Sequence, residues 1–383
     1  MKRNAAVLLT VSILFSMLAG AAADAVPSLR TWTTRDGQAF EAELAAADGL
    51  RATLLPTGKP AVITPLASLT PDDAAWVRQW RGNWRNPLIA PDSLPPWPAQ
   101  APAPVINLKA SQEEGRFTWE SPCFRITSDL RLPDNAIKDI ARVFEATRAA
   151  LIAMPLGLHA GGETSPYAVS LFRDSGAYEK AGGPVGSGGY FDGRSRLMLV
   201  LLPNLGITET DGTVRLDYTK NLFVLKHEAT HQLIARWHDR IPMWASEGIA
   251  EFVAALPYAQ GIYTFQNLAP AMRRYLTKWR AARELQGLRL IPPATLMAMT
   301  AADWDDAVIK GGAYDLYDSS ALLTYHFIQQ QGGAPLAGFL DALRSGADEA
   351  AAEQTHLLRG KTRGQLAADL QTLAKKIGVP LIP

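Results

Sequence analysis

The chain of 383 residues contains one cysteine, Cys123. No internal disulfide is available to it. A lone thiol between Pro122 and Phe124, with no histidine near it in sequence, reads as a small buried apolar residue rather than a nucleophile. Net charge is also lacking, at +1. Nucleic acid and anionic membrane surfaces call for a basic excess that is absent here, and so are their motifs. No apolar run reaches the roughly 20 residues of a membrane span. The Gly-rich run Gly182 to Gly189 matches no phosphate-loop spacing, and no Lys-Ser/Thr pair follows it. No repeat of solenoid-like period is present. What remains is 48% hydrophobic and 20% charged, an ordinary globular balance in a chain long enough for two or three domains.

The first residues form a targeting segment. Lys2 and Arg3 are basic, Ala5 to Ala19 are apolar, and Ala21-Ala22-Ala23 or Ala23-Asp24-Ala25 offers a small-residue cleavage site. Residues 1–25 are therefore expected to be a signal peptide, and the mature chain to be exported to a periplasm or beyond, with no stable membrane insertion after cleavage. Over residues 29–81, short alternating strands are separated by the turns Asp36-Gly37, Asp48-Gly49 and Gly58-Lys59-Pro60. Thr70-Pro71 then opens a short helix. Trp32, Asp36-Gly37 and Pro65-Leu66-x-x-Leu69-Thr70 resemble the Sla-one homology domain, a small SH3-like β-barrel. The module reads equally as a binder of an unknown partner or as a folded spacer. Residues 82–105 are rich in proline (Pro87, Pro91, Pro95, Pro96, Pro98, Pro102 and Pro104), which favours an extended, semi-rigid linker.

The chemistry is concentrated in Lys226-His227-Glu228-Ala229-Thr230-His231, inside a helix-friendly run from Leu222 to Trp237. Residues four apart on a helix share a face, so His227 and His231 can present two imidazoles to one metal ion. Glu228 lies beside that face, where its carboxylate can take a proton from an activated water. With six histidines in the whole chain, the pattern seldom arises by chance. A catalytic zinc usually takes three protein ligands. Pro242-Met243-Trp244-Ala245-Ser246-Glu247-Gly248-Ile249-Ala250-Glu251 starts a second helix, with Glu247 placed as the third ligand. Glu251, one turn on, can orient a ligating imidazole. The alternative with a third histidine fails, because Ile234 and Trp237 hold the positions it needs and His238 falls one residue late.

His227-Glu228-x-x-His231 followed by Trp244-x-x-Glu247-Gly248-x-Ala250-Glu251 resembles the gluzincins, zinc metallopeptidases, and most of all the peptidase MA-like proteins. The resemblance covers about Phe124 to Phe327. It implies Zn2+ held by His227, His231 and Glu247, peptide or protein substrates, and Glu228 as general base. Related families use a later Tyr or His to hold the oxyanion, which makes Tyr317 the candidate here, with Tyr314 and His326 behind it.

The rest of residues 106–383 reads as the body of that domain. Phe124 to Thr127, Tyr167 to Phe172 and Arg196 to Leu202 are strand-like, and Asp134 to Met154 is helical. Gly182 to Gly189 reads as a mobile loop beside the site. The strand from Arg196 is either a buried core strand or an edge that a peptide could join. After Pro257 the pattern is mostly helical, and Met272, Tyr275, Leu276 and Trp279 fall at core spacing. The expected fold class is α+β: a zincin-like domain with a mostly helical C-terminal lobe, preceded by a small barrel. Two other functions stay open, a catalytically silent zincin-like binding protein and a metal-dependent amidase acting on cell-wall crosslinks.

Overall fold

The computed structural model describes residues 29–382 apart from 48–49, 58, 84–93, 95, 114, 159–165, 194, 218–221, 238–239 and 282–286. The leader, the Asp48-Gly49 turn, much of the Pro-rich stretch and His238 lie outside the described residues. No described helix is long and apolar enough to cross a membrane.

The N-terminal unit is an antiparallel meander of β1 (Arg30–Thr33), β2 (Ala39–Ala47), β3 (Arg51–Pro56) and β4 (Val62–Pro65), closed by helix α1 (Pro71–Asn83). Its core gathers Trp32, Leu44, Leu54, Leu66, Leu69 and Val77. The helix begins where the Thr70 hydroxyl accepts from the Asp73 N–H, an N-cap. Asp73 in turn accepts from the Thr33 N–H at 2.7 Å and pairs with Arg30, tying α1 to the first strand. The strands pair in the order β1-β2-β3-β4, and β1 does not pair with β4 among the described residues. The segment after β4 returns to the end of β1 through a Thr34–Leu69 bridge and the Thr70 N–H donating to the Thr33 carbonyl, but the four strands do not close on themselves, so the closed SH3-like barrel expected from sequence is not shown.

The second sheet has the order β5-β6-β7-β8-β10-β9, from β5 (Lys109–Glu113), β6 (Arg116–Glu120), β7 (Phe124–Ser128), β8 (Tyr167–Phe172), β9 (Gly189–Asp192) and β10 (Leu197–Leu201). β7, β8 and β10 are parallel and β9 is antiparallel to β10. Parallel strands are covered on both faces, which is why these three read as near-continuous apolar runs. One face, with Ile126, Val169, Leu171, Met198 and Val200, joins the main core beneath α2 (Asp134–Ala153). On the other face Ala168, Phe172, Leu197 and Leu199 meet Leu55 of the meander and Tyr178 of α3 (Ser175–Lys180). Arg125 reaches across to donate to the Pro56 carbonyl at 3.1 Å. β10 is thus an interior strand, and the sheet edge beside it is β9.

A hairpin of β11 (Ile207–Thr210) and β12 (Thr213–Leu216) precedes α4 (Phe223–Leu233) and α5 (Met243–Ala255). A short hairpin, β13 (Tyr258–Ala259) and β14 (Ile262–Tyr263), leads to α6 (Leu268–Ala281). Strand β15 (Leu288–Arg289), helices α7 (Pro293–Leu296), α8 (Ala301–Ala307), α9 (Ala313–Gln329), α10 (Ala334–Arg344), α11 (Glu349–Ala352) and α12 (Arg363–Ile377), and strand β16 (Leu381–Ile382) complete the chain. The fold is mixed α+β with a mostly helical C-terminal part. Part of the proline-rich stretch is docked on it. Trp97 donates to the Gly332 carbonyl at 2.6 Å and packs edge-on against Phe265, and the Ala101 N–H donates to Tyr263.

Helices α5 and α9 approach closely because Gly248 has no side chain. A Cβ there would stand 2.1 Å from the Thr324 hydroxyl and 2.5 Å from the Ser320 carbonyl oxygen. Gly248→Ala adds helix propensity of about 1 kcal/mol. Overpacking against backbone costs about 1–3 kcal/mol, and the Ser320 carbonyl cannot rotate away as a side chain would. Gly248→Ala is therefore expected to lower stability in denaturant unfolding. A more stable variant would show that the two helices separate freely.

Candidate metal centre

α4 is buried along its whole length after the first residue, although it carries Lys226, His227, Glu228, Thr230, His231 and Gln232. Buried polar groups need partners. Three of these six find ordinary ones. Lys226 donates to the Leu256 carbonyl at 3.2 Å and lies over the rings of Phe223 and Tyr263. Burial pushes its pKa down to about 7, with Arg274 adding to the shift. Thr230 bonds the Lys226 carbonyl within the helix, at 2.8 Å. Gln232 donates to the carbonyls of Ala168 and Arg196, fixing α4 to the sheet.

Of the other three, His227 and His231 face Glu247 of α5, while Glu228 lies against β9. His227 Nε2 and His231 Nε2 are 3.0 Å apart. Glu247 Oε2 lies 3.4 Å from the first and 3.3 Å from the second. These three residues are the candidate metal-ligating group among the described residues. The spacing suits a cation: donors about 2.0–2.1 Å from a tetrahedral ion stand about 3.3 Å from one another. The residues left without hydrogen bonds point the same way. Both carboxylate oxygens of Glu228 and of Glu247 are buried without a well-formed hydrogen bond, an arrangement that is costly unless a positive charge lies between them.

The titration behaviour follows from that crowding. At Glu247, burial by itself favours the acid, but the His231 and His227 rings outweigh it and hold the pKa at about 2. At His227, burial by itself favours the neutral ring, but Glu251, Glu247 and Glu228 outweigh it and raise the pKa well above the ordinary value. These carboxylates thus favour positive charge at His227 in the metal-free chain. Burial raises Glu228 above the usual carboxylate range, with the Glu247 charge adding to it against the two histidines.

Around this triangle, Glu251 Oε1 lies 3.1 Å from His227 Nδ1, close but not aligned as a well-formed hydrogen bond, and the Tyr275 hydroxyl donates to Glu251 Oε2. Burial and the Glu251 charge raise the Tyr275 pKa well above its ordinary value, so the phenol keeps its proton. Ser246 Oγ is 3.5 Å from His231 Nδ1. Tyr317 of α9 stands edge-on to the His227 ring, centroids 6.1 Å apart, and packs against Trp304 of α8. Burial, with Glu247 next, keeps its phenol protonated as well. His326 instead pairs with Gln330.

The edge strand β9 passes directly over Glu228. A Cβ on Gly189 would meet Val224 Cγ1 at 2.5 Å and Glu228 Cγ at 3.0 Å. The preceding glycines are packed too. Gly183 lies against the Tyr178 ring and Gly188 against Asn204, while Ser187 is buried and bonded to the Tyr178 hydroxyl. The run expected as a mobile loop is in part a close-packed approach to the site. Sequence reasoning missed β9 and Tyr275. The density of glycine before a strand was the signal for the first, and Tyr275 carried none beyond helical spacing.

No family model and no curated protein matches the sequence. Among solved structures, an M1 zinc metallopeptidase variant from Deinococcus radiodurans, bound to a Tyr-Ser-Ala substrate, overlaps with a TM-score of 0.32 and 16% identity, over 73% of this chain and 53% of that one. The chain thus spans about half the length of that protein. At this TM-score the overlap assigns neither fold family nor activity.

Proposed function

We propose that the protein is a zinc-dependent peptidase whose metal is held by His227, His231 and Glu247. The observation that carries this reading is the buried triangle of two imidazole nitrogens and one carboxylate oxygen, with a second carboxylate, Glu228, buried beside it without a well-formed hydrogen bond. A structural metal site has no use for that second carboxylate. Bound there, zinc supplies Lewis acidity, polarising a carbonyl and making a neighbouring water acidic near neutral pH. Glu228 takes the proton of the attacking water and returns it to the leaving amine. Its raised pKa suits a group that must both accept and release a proton. Tyr317, kept protonated, offers a hydrogen bond to the developing oxyanion. Glu251 holds His227 in the tautomer whose Nε2 lone pair is free.

The test compares hydrolysis of a broad peptide library by the chelator-stripped chain and by the zinc-restored chain. Activity that returns only with metal supports the reading. Equal hydrolysis by both contradicts it. Export is part of the same proposal, supported by Lys2, Arg3 and the apolar run that follows them. Secreted protein whose intact mass still includes Met1 would overturn the signal peptide proposed for residues 1–25, and protein retained in the cytoplasm would overturn export.

Metal uptake should be coupled to proton release. Because the His227 pKa is raised in the metal-free chain, its proton must leave before Nε2 can bind a cation. Apparent zinc affinity is therefore expected to rise with pH through neutrality and to fall in mild acid. Titration calorimetry in buffers of different ionisation enthalpy reads the proton count directly. A heat independent of buffer would mean that His227 is already neutral.

A further inference from the structure

We infer that Tyr275 is a positioning residue for the metal, acting on His227 through Glu251. The inference rests on the zinc reading above. Three helices stand in series: Tyr275 on α6, Glu251 on α5 and His227 on α4. The Tyr275 hydroxyl donates to one oxygen of Glu251, and the other oxygen lies 3.1 Å from His227 Nδ1. All three side chains are buried. The Tyr275 ring also packs edge-on against Phe223, centroids 4.9 Å apart, at the first turn of α4. Its hydroxyl is thereby fixed relative to the helix that carries both histidines.

The need for such a residue follows from the length of Glu251. A glutamate has one more rotatable bond than an aspartate, so a single contact at His227 leaves its carboxylate free to swing. A second contact at the other oxygen removes that freedom. Deletion of the hydroxyl leaves a buried carboxylate oxygen without its donor and lets the His227 ring turn away from the line to His231 and Glu247. Residues that orient a metal ligand in this way typically change metal affinity by about ten- to a hundredfold. Tyr317 stands edge-on to the same His227 ring without contacting Glu251 in the way Tyr275 does, and in the proposed mechanism its hydroxyl is expected to affect turnover rather than affinity.

The experiment measures zinc affinity of the full chain by competition with a chromophoric chelator, for wild type, Tyr275→Phe, Glu251→Gln and the double variant. Tyr263→Phe, which loses a buried hydroxyl bonded to Thr147, is the structural control. Tyr275→Phe is expected to bind zinc about ten- to a hundredfold more weakly, with an altered visible spectrum after cobalt(II) substitution, while the melting temperature of its metal-free chain falls by no more than in Tyr263→Phe. Tyr263→Phe is expected to bind zinc as wild type does. In the Glu251→Gln background, loss of the Tyr275 hydroxyl should change affinity no further. Wild-type affinity and an unchanged cobalt spectrum in Tyr275→Phe overturn the inference while leaving the zinc site standing. Strictly additive losses also overturn it, because Tyr275 would then act by another route. A wild-type chain that binds no zinc overturns the metal reading itself.

Discussion

Glu228→Gln is expected to leave zinc content and fold intact and to lower peptide turnover by about a hundredfold to ten-thousandfold, the contribution of a positioned general base. The substitution keeps size and shape in a site where Gly189 leaves no spare room, with its missing Cβ only 3.0 Å from Glu228 Cγ. It removes the one property the proposed mechanism uses, an oxygen able to take a proton. In this scheme Glu228 is not a ligand, since the close triangle is formed by His227, His231 and Glu247. An amide also needs no counter-cation, so the variant should be at least as stable as wild type without metal. Zinc stoichiometry and turnover are measured on the same sample. Equal turnover in wild type and variant removes Glu228 from the mechanism. No turnover in either, with zinc bound in both, favours the silent binding protein.

Glu247→Ala is expected to have the larger effect on metal. Structural zinc sites are worth about 10–16 kcal/mol over their ligands. One ligand among three or four is then worth about 3 kcal/mol or more, which is about a hundredfold or greater in affinity. The purified variant should be close to zinc-free, and hydrolysis should fall with it. The metal-free chain suffers as well. Glu247 is held ionised between the two rings, and its loss leaves the His227 proton with Glu251 and Glu228 as its remaining acidic neighbours. Full zinc occupancy in Glu247→Ala would remove it as a ligand and bring His238 back into consideration.

The two site helices were legible in sequence because their information is local. His227 and His231 share a helical face by spacing alone, and Trp244-x-x-Glu247-Gly248 lies in the next helix along the chain, which starts at Met243 after α4 ends at Leu233. The meander strands were legible for the same reason, since alternation and turn residues sit side by side in the chain. What could not be read depends on distant partners. Gly188 and Gly189 look like flexibility in sequence, but in space they are the absence of side chains where Asn204, Val224 and Glu228 already lie. Tyr275 looked like core because its ring is core, and only its hydroxyl reaches Glu251. How the ends of the meander meet, through Leu69 and Thr70 returning to Thr34 and Thr33, is a long-range pairing that no local pattern specifies. The docking of Trp97 on Gly332 likewise spans most of the chain.

X-ray absorption at the zinc edge, on the wild-type chain reconstituted with one equivalent of zinc, tests the central claim most directly. The account predicts a bound ion with two imidazole nitrogens and carboxylate or water oxygens at about 2.0–2.2 Å. His227→Ala and His231→Ala, each missing one of three ligands, should leave the chain close to zinc-free, as in Glu247→Ala. Zinc that does not bind to the wild-type chain, or that binds without imidazole scattering, would contradict the account.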